Sequence, residues 1–421
     1  MKKRIVSFLL ATVMTCSFMY GCGGENSGDN ETDKKEENTG KDGKVALKVW
    51  CAEEDEALMK QILSDFETKY KSEASFDFTL EFCAEADSRQ NVLEDIENGP
   101  DVFSFADDQL RTFVAAGALA EVPNADDIKN RNLASAVETA EINGKLYGYP
   151  MTADNGYLLY YNKQYVSDED AKSFDSILAA ASANGKKMVM DWSAGWYIYS
   201  FFGQTGLTMG LNDDGVSNYC TWNSTENSIK GVDVGNAMIA IATNPGFSVG
   251  NDDALKEGAI NDTVVAGVSG VWLSTALKEA WGDNLGTAKL PTYTVNGSQV
   301  QMGSFSGFKM IGVNDYSSEK EWAHKLADFI TNEQNQTLRF TMRGQGPSNI
   351  NAAASSEVSG DPAIQALLAQ SEYATPQRVG GQYWEPAQKL GQTFATGSSG
   401  DSDMQTFLDK IVETITISYS N

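Results

Sequence analysis

The chain has 421 residues, with 58 Asp and Glu against 32 Lys and Arg, one His and a formal net charge of −26. Such an acidic balance argues against a nucleic-acid-binding protein and against a broad electrostatic hold on an anionic membrane. Because His324 is the only histidine, a multi-histidine zinc site is excluded and a histidine-based catalytic triad is unsupported. We therefore expect no metal site and no cofactor.

The first residues have the pattern of an export signal. Met1–Arg4 is basic, and Ile5–Tyr20 is an apolar stretch of secretory length. The Cys22 that follows is flanked by glycines, which resembles the bacterial lipobox, so residues 1–21 are predicted to be a signal peptide and Cys22 the lipidation site. Met19 and Tyr20 depart from the lipobox, which leaves ordinary secretion or an uncleaved anchor helix as alternatives. The apolar run is short for a bilayer span.

The segment after Cys22 has no apolar residue up to Gly43. A segment of this composition buries too little surface to offset its ordering entropy. We expect residues 22–43 to be a lipidated flexible tether. Without the signal peptide, 29 basic residues face 58 acidic ones, so the exported chain is still more acidic.

Strands and helices alternate after the tether. Val45–Trp50 reads as a strand, a helical spacing of apolar residues runs to Tyr70, Phe76–Phe82 alternates as a strand does, and a second helix precedes the strand Asp101–Phe105. This β-α-β-α-β order predicts a parallel sheet covered by helices, with ligands gathering at the carboxyl ends of the strands.

The middle of the chain predicts a second α/β unit. Two extended segments, Gly144–Pro150 and Tyr157–Lys163, abut without a helix between them, as expected of a crossing between two lobes. Strands Lys187–Met190 and Thr263–Ser269 with helices between them form the second unit. We predict an N-terminal lobe of residues 44–153 plus 290–331 and a C-terminal lobe of residues 154–289 plus 332–421.

Three cysteines remain beyond the lipobox, Cys51, Cys83 and Cys220. Three scattered cysteines in an exported chain are not a disulfide scaffold. Cys51 and Cys83 each end a predicted strand, so they are expected to be two buried thiols, with a disulfide as the alternative.

Aromatic residues cluster just beyond predicted strand ends. Trp192, Trp196, Tyr197 and Tyr199 follow one strand, Trp272 follows another, and Tyr383-Trp384 opens a late helix. Sugars present flat apolar faces and a rim of hydroxyls, so a sugar site needs aromatic platforms beside planar polar groups. These positions predict a carbohydrate site, with core packing as the alternative.

Four passages resemble a known family. They are Gly99–Phe103 continuing through Ala106–Leu110, Ala116–Ala120, Asn143–Pro150 with Tyr161–Lys163, and Met302–Lys309. They resemble the extracellular solute-binding proteins of carbohydrate ABC importers, in the maltose and maltodextrin-binding branch of Gram-positive lipoproteins. The resemblance implies a periplasmic-binding-protein-like α/β fold, whose two lobes are joined by a multi-strand hinge with the ligand cleft between them.

The resemblance also implies site residues. Asp108 matches an aspartate that bonds glucose hydroxyls, whereas Gln109 replaces an arginine and Phe105 a tryptophan. In the first-strand loop Asp55 replaces a lysine that follows the sugar-binding acid. The implied ligand-binding set contains both candidates for the hinge acid, Asp154 and Asn155, and comprises Glu53, Glu54, Phe105, Asp108, Gln109, Asp154, Asn155, Trp196, Tyr197, Trp272, Tyr383 and Trp384.

The function implied is capture of maltooligosaccharides and their delivery to the permease of an ABC importer. The protein would be a monomer on the extracellular face of the cytoplasmic membrane, with no catalytic residue and no membrane contact except its lipid anchor. Two alternatives remain: a solute-binding protein for a galacto- or xylo-oligosaccharide, and a secreted carbohydrate-active enzyme, because a carboxylate pair at glycosidase separation cannot be judged from sequence.

Overall fold

A computed structural model describes residues 43–417. The predicted signal peptide, Cys22 and the tether up to residue 42 lie outside the described residues, as do residues 418–421. Within the described range, no helix combines the length and the apolar character that crossing a membrane requires.

The first sheet contains five strands. Its order is Phe76–Phe82, Val45–Cys51, Val102–Ala106, Lys309–Val313 and Tyr149–Thr152. The first three are parallel, with Val49 paired to both Leu80 and Val102, and the strand Lys309–Val313 runs antiparallel to both of its neighbours. The predicted β-α-β-α-β unit is confirmed.

The second sheet also contains five strands. Its order is Phe247–Val249, Lys187–Met190, Val264–Ser269, Leu158–Asn162 and Leu285–Ala288. The first three are parallel, and Leu158–Asn162 runs antiparallel to both neighbours. Within residues 43–417, four two-stranded pairs complete the β structure: Met209–Leu211 with Asn218–Cys220, Thr292–Val295 with Ser298–Gln301, Ser304–Ser306 with Ala374–Pro376, and Glu141–Ile142 with Lys145–Leu146.

Helices cover both sheets. Helix Lys320–Ile330 shows why: Ala323, Leu326, Ala327 and Ile330 recur at helical spacing and are all buried. The helices before the crossing to the second sheet are Glu56–Tyr70, Ser88–Glu94, Leu110–Ala115, Ala125–Arg131 and Ala134–Thr139. Those after it are Phe174–Ala183, Gly195–Phe202, Gly231–Ala242, Asp252–Ile260, Ser274–Trp281, Lys320–Ile330, Glu333–Arg343, Ile350–Ala353, Ser356–Ser359, Pro362–Gln370, Trp384–Phe394 and Met404–Thr416.

Each sheet packs its own hydrophobic core. Leu47, Phe66 and Phe103 belong to the first core, and Met190 and Phe201 belong to the second. The α/β class with two lobes is therefore confirmed.

Two segments pack on the lobe opposite to the one predicted. The sequence predicts the hairpin Thr292–Gln301 in the first lobe, but Tyr293, Val295 and Val300 are buried in the second core. The sequence predicts residues 333–343 in the second lobe, but helix Glu333–Arg343 packs against the first core. The chain returns to the first sheet only at Lys309, and helix Glu333–Arg343 follows that return.

Three chain segments cross between the lobes side by side. The amide of Asn155 donates to the carbonyl of Gly307 at 3.2 Å, and the amide of Ala153 donates to the carbonyl of Gly346 at 2.9 Å. The segment after Thr152, the segment before Lys309 and the segment after Arg343 are thus hydrogen-bonded together. They form the multi-strand hinge.

Cys51 and Cys83 lie on neighbouring positions but are not bonded. Both are free and buried, and the amide of Cys83 donates to the carbonyl of Cys51 at 2.8 Å. The prediction of two buried thiols is confirmed. His324, the single histidine of the sequence, is half-buried, and its Nδ1 lies 2.9 Å from the hydroxyl of Tyr149.

A buried ion cluster ties helix Glu333–Arg343 to the loop after the first strand. Arg339 donates to one oxygen of Asp55, and Arg343 donates to the other at 2.9 Å. Both Asp55 and Arg339 are almost fully buried. Burial would raise the pKa of Asp55, but the Arg339 charge and hydrogen bond hold it below its usual value.

We predict that Asp55→Asn lowers the free energy of unfolding by about 3–5 kcal/mol, because Arg339 keeps its charge in a buried site without a charged partner. Urea denaturation at pH 7 measures the change. The matched variant Arg343→Gln removes a cation that is 18% exposed and leaves Asp55 paired with Arg339, so it should cost less than Asp55→Asn. Equal costs for the two variants would contradict a dominant role for the buried pair.

Candidate functional site

A cavity of about 690 Å³ lies between the two lobes. Both lobes contribute its lining, and the hinge contributes Asn155. The lining residues are Ala52, Glu54, Asp55, Ala84, Glu85, Ala86, Arg89, Ala106, Asp108, Gln109, Asn155, Ser193, Ala194, Gly195, Trp196, Tyr197, Asp252, Trp272, Lys309, Arg343, Gln345, Gln377, Trp384, Glu385 and Gln388.

The first-lobe wall is built from residues at the ends of parallel strands. Glu54 follows strand Val45–Cys51, Glu85 follows strand Phe76–Phe82, and Asp108 lies in the short 3-10 turn after strand Val102–Ala106. The carboxyl ends of parallel strands meet at one edge of a sheet, which is where ligands bind in open α/β folds. The predicted order of elements therefore accounts for this acidic wall.

Three acceptor atoms of this wall have no hydrogen-bond partner among the described residues: Oε1 of Glu85, Oδ1 of Asp108 and Oε1 of Gln109, all of them buried. The amide group of Gln109 donates to the carbonyl of Glu85 at 2.7 Å, which leaves the side-chain oxygen as the unpaired atom. Buried polar atoms almost always find a partner. A ligand that donates several hydrogen bonds would satisfy all three.

The second-lobe wall is aromatic and its rings are held in place. Trp196 opens helix Gly195–Phe202, and its indole N–H donates to Oε1 of Gln377 at 2.6 Å. Trp272 lies in the turn after strand Val264–Ser269, and its indole N–H donates to Oδ2 of Asp252 at 2.7 Å. The ring centres of these two tryptophans are 5.8 Å apart. Trp384 opens helix Trp384–Phe394.

The structure brings most of the predicted site residues together. Those that line the cavity are Glu54, Asp108, Gln109, Asn155, Trp196, Tyr197, Trp272 and Trp384. They come from both lobes and from the hinge. Their joint placement agrees with a single site.

Four predicted residues lie elsewhere. Phe105 is fully buried in the first core, where its ring contacts Phe103 and Phe113. Tyr383 is fully buried in the second core, and its hydroxyl donates to the carbonyl of Gly195.

The other two are polar. The carboxylate of Asp154 accepts from the amide of Gly346 in the hinge, and Glu53 is exposed outside the cavity lining. Of the two candidates for the hinge position, Asn155 is therefore the one at the cavity. Within the aromatic cluster, Trp192 is a core residue.

Several lining residues carried no recognisable signal in the sequence. Arg89, Asp252, Lys309 and Gln377 belong to this group, and Glu85 does as well. Lys309 is the last residue of the passage Met302–Lys309 that resembles the family, but the resemblance gave it no role at the site. Gln377 reaches Trp196 across 181 residues of sequence, so only the tertiary fold reveals the pair.

The adjacent carboxyls Asp107 and Asp108 both have raised pKa values. Burial raises the pKa of Asp108 to about 8, and the nearby Asp107 adds to the increase. Burial likewise raises the pKa of Asp107 to about 7, although a hydrogen bond from the amide of Phe308 opposes the increase. Asp108, which lines the cavity, therefore carries less negative charge at neutral pH than an ordinary aspartate.

The raised pKa of Asp108 makes the free energy of unfolding depend on pH. Above the usual aspartate pKa near 3.9 and up to about 8, folded Asp108 binds more protons than unfolded Asp108, so its contribution falls as pH rises. We predict that Asp108→Asn lessens the fall in the free energy of unfolding between pH 5 and pH 8. Urea denaturation at several pH values tests it; a pH profile parallel to that of the wild type would contradict it.

Comparisons with known proteins agree with this geometry. Residues 61–366 match the model of a family described as bacterial extracellular solute-binding protein. The galactooligosaccharide-binding protein of Bacillus subtilis (strain 168) is 25% identical over 98% of this chain and 97% of its own length. A maltooligosaccharide ABC transporter solute-binding lipoprotein of Streptococcus pneumoniae is 25% identical over 97% of this chain and 95% of its own.

Solved structures show the same architecture. The maltodextrin-binding protein MalE1 of L. casei BL23, determined without ligand, superposes with a TM-score of 0.71 at 27% identity, covering 89% of this chain and all of that one. The family match spans more than half of the chain, and the matched residues contribute to both lobes, the hinge and the cavity. The chain therefore belongs to the bacterial extracellular solute-binding proteins.

Proposed function

We propose that this protein binds maltooligosaccharides, which are α-1,4-linked glucans, in the cavity between its lobes and delivers them to the permease of an ABC importer. One observation carries the proposal: three buried acceptors without partners, on Glu85, Asp108 and Gln109, share a cavity with three tryptophans. The acceptors suit sugar hydroxyls, and the indole rings suit the apolar faces of the sugar.

The proposed contacts follow from the placement of the acceptors on one wall and the aromatic rings on the other. Glu54, Asp108, Gln109 and Asn155 would bind hydroxyls, while Trp196, Tyr197, Trp272 and Trp384 would pack on the rings. A cavity of about 690 Å³ lies within the range of small-ligand sites. The charged and amide groups of Glu85, Arg89 and Gln377 extend the polar set beyond the residues that the sequence suggested.

The mechanism proposed is capture by closure. The sugar contacts both lobes, so it favours the arrangement in which the cavity is closed. No bond is broken, which distinguishes this function from that of a secreted carbohydrate-active enzyme. Micromolar affinity, about −8 kcal/mol, would still allow release to the permease. Release of reducing sugar from an oligosaccharide by purified protein would overturn the binding-only function.

A galactooligosaccharide is the second candidate ligand. The Bacillus subtilis relative is named for that ligand and matches nearly the whole chain. Both ligand classes are neutral oligosaccharides with stacking faces and hydroxyl rims, so the same two walls suit either. Direct competition between the two sugars distinguishes them.

Attachment to the membrane is proposed through Cys22 alone. The family is described as extracellular, and the Streptococcus pneumoniae relative is named a lipoprotein. A monomer tethered at the extracellular face of the cytoplasmic membrane would keep the cavity near the permease subunits.

We predict that calorimetric titration detects maltotriose or longer maltooligosaccharides, with weaker or no heat from galacto- and xylo-oligosaccharides. Trp196→Ala and Trp272→Ala should each weaken binding by about 1–3 kcal/mol, the range known for aromatic stacking on bases. Trp322→Ala is the control, since Trp322 packs on the first core and lies outside the cavity lining. It should alter stability without altering affinity.

Two outcomes would count against the assignment. The absence of heat with every maltooligosaccharide would end the α-glucan proposal. Unchanged affinity in both tryptophan variants would assign those rings to structure rather than to ligand stacking.

We predict that Cys22→Ala abolishes incorporation of labelled fatty acid in a Gram-positive host and moves the protein into the culture medium. Lipid attachment requires the thiol of that residue, and the two acyl chains of a diacylated Cys22 would retain the protein at the membrane. Cys220→Ala is the matched control and should leave labelling intact. Label retained by Cys22→Ala would refute the anchor.

A further inference from the structure

Lys309 reaches from the first lobe to an aromatic ring of the second. It opens strand Lys309–Val313 of the first sheet, where it pairs with Ala106 and Thr152. Its ammonium nitrogen lies 4.8 Å from the centre of the Trp272 ring. Trp272 follows a strand of the second sheet, so this cation-π contact spans the cavity.

The ring that receives Lys309 is held by its own lobe. The indole N–H of Trp272 donates to Oδ2 of Asp252, and the hydroxyl of Ser269 donates to Oδ1 of the same carboxylate at 2.6 Å. The ring also lies over Gly270, where an added Cβ would come within 2.0 Å of its atoms. The ring therefore moves with the second lobe and cannot follow Lys309 when the lobes separate.

The ammonium group has a further partner on the first lobe. Lys309 lies 3.5 Å from Oε2 of Glu85, and only about a tenth of either side chain is exposed, 11% and 10% respectively. A buried cation needs compensation for its lost hydration. Lys309 obtains part of it from Glu85 and part from the ring of the opposite lobe, so separation of the lobes removes the second part.

We propose that Lys309 is an interlobe positioning residue, which favours the closed cavity through its contact with the Trp272 ring rather than by binding sugar. The effect on apparent affinity follows from the population of the closed state, because affinity scales with the fraction of molecules competent to bind. Cation-π strengths in partly desolvated sites correspond to a loss of roughly 3- to 10-fold in affinity. Only this binding effect rests on the proposed function.

The experiment measures the distance between the lobes without ligand. Spin labels at Lys60→Cys on helix Glu56–Tyr70 and Lys410→Cys on helix Met404–Thr416 report one lobe each, with Cys22 and Cys220 replaced by Ser. Both labelled positions are exposed. Pulsed dipolar spectroscopy should show that Lys309→Met shifts the population towards the open arrangement, whereas Lys309→Arg, which keeps the cation, stays close to the parent.

Two further variants separate the contact from general damage. Lys309→Met combined with Glu85→Gln removes the carboxylate that the single variant leaves unpaired, and the shift should persist. In a Trp272→Ala background, Lys309→Met should add no shift and no loss of sugar affinity, because its ring partner is already absent.

The outcomes are distinct. Unchanged interlobe distances in Lys309→Met would overturn the inference. So would a shift by Lys309→Met in the Trp272→Ala background that equals its shift in the parent. Neither result would contradict the proposed sugar binding. A wild-type protein that binds no oligosaccharide would overturn the proposed function, and the ligand-free distances would still decide the role of Lys309.

Discussion

The connection between the lobes is the constraint on which the rest of the molecule depends. Each sheet buries its own core, and three adjacent segments cross between them, joined by the hydrogen bonds of Asn155 with Gly307 and of Ala153 with Gly346. A hinge built from a few extended segments can absorb a change of angle without disturbing either core. The cavity lies between the lobes, where such a change of angle would alter its width.

The two walls of the cavity divide the chemistry of recognition. The first lobe presents carboxyl and amide oxygens, three of them buried without a partner, and the second presents indole rings anchored by Asp252 and Gln377. Neither wall alone suits a sugar. A sugar bound as proposed would contact both walls, because the acceptors lie on one and the rings on the other.

Ion pairing and raised carboxyl pKa values both reduce the negative charge around the cavity. Asp55 is compensated by Arg339 and Arg343, and burial raises the pKa values of Asp107 and Asp108. The acidic composition of the whole chain therefore does not make the cavity a cation site. Among the described residues, no group of three or more His, Cys, Asp or Glu side chains is placed to hold a metal ion.

The sequence predicts the alternation of strands and helices, the crossing before Leu158 and the tryptophans beyond strand ends. These features can be predicted because periodicity and strand polarity are local properties. Local pattern could not decide which aromatic residues face the cavity: Phe105 and Tyr383 are core residues, although each adjoins a lining residue in the chain. Nor could it assign the hairpin Thr292–Gln301 to the second core. The contacts of Gln377 with Trp196 and of Lys309 with Trp272 join residues far apart in sequence, and only packing of the whole chain creates them.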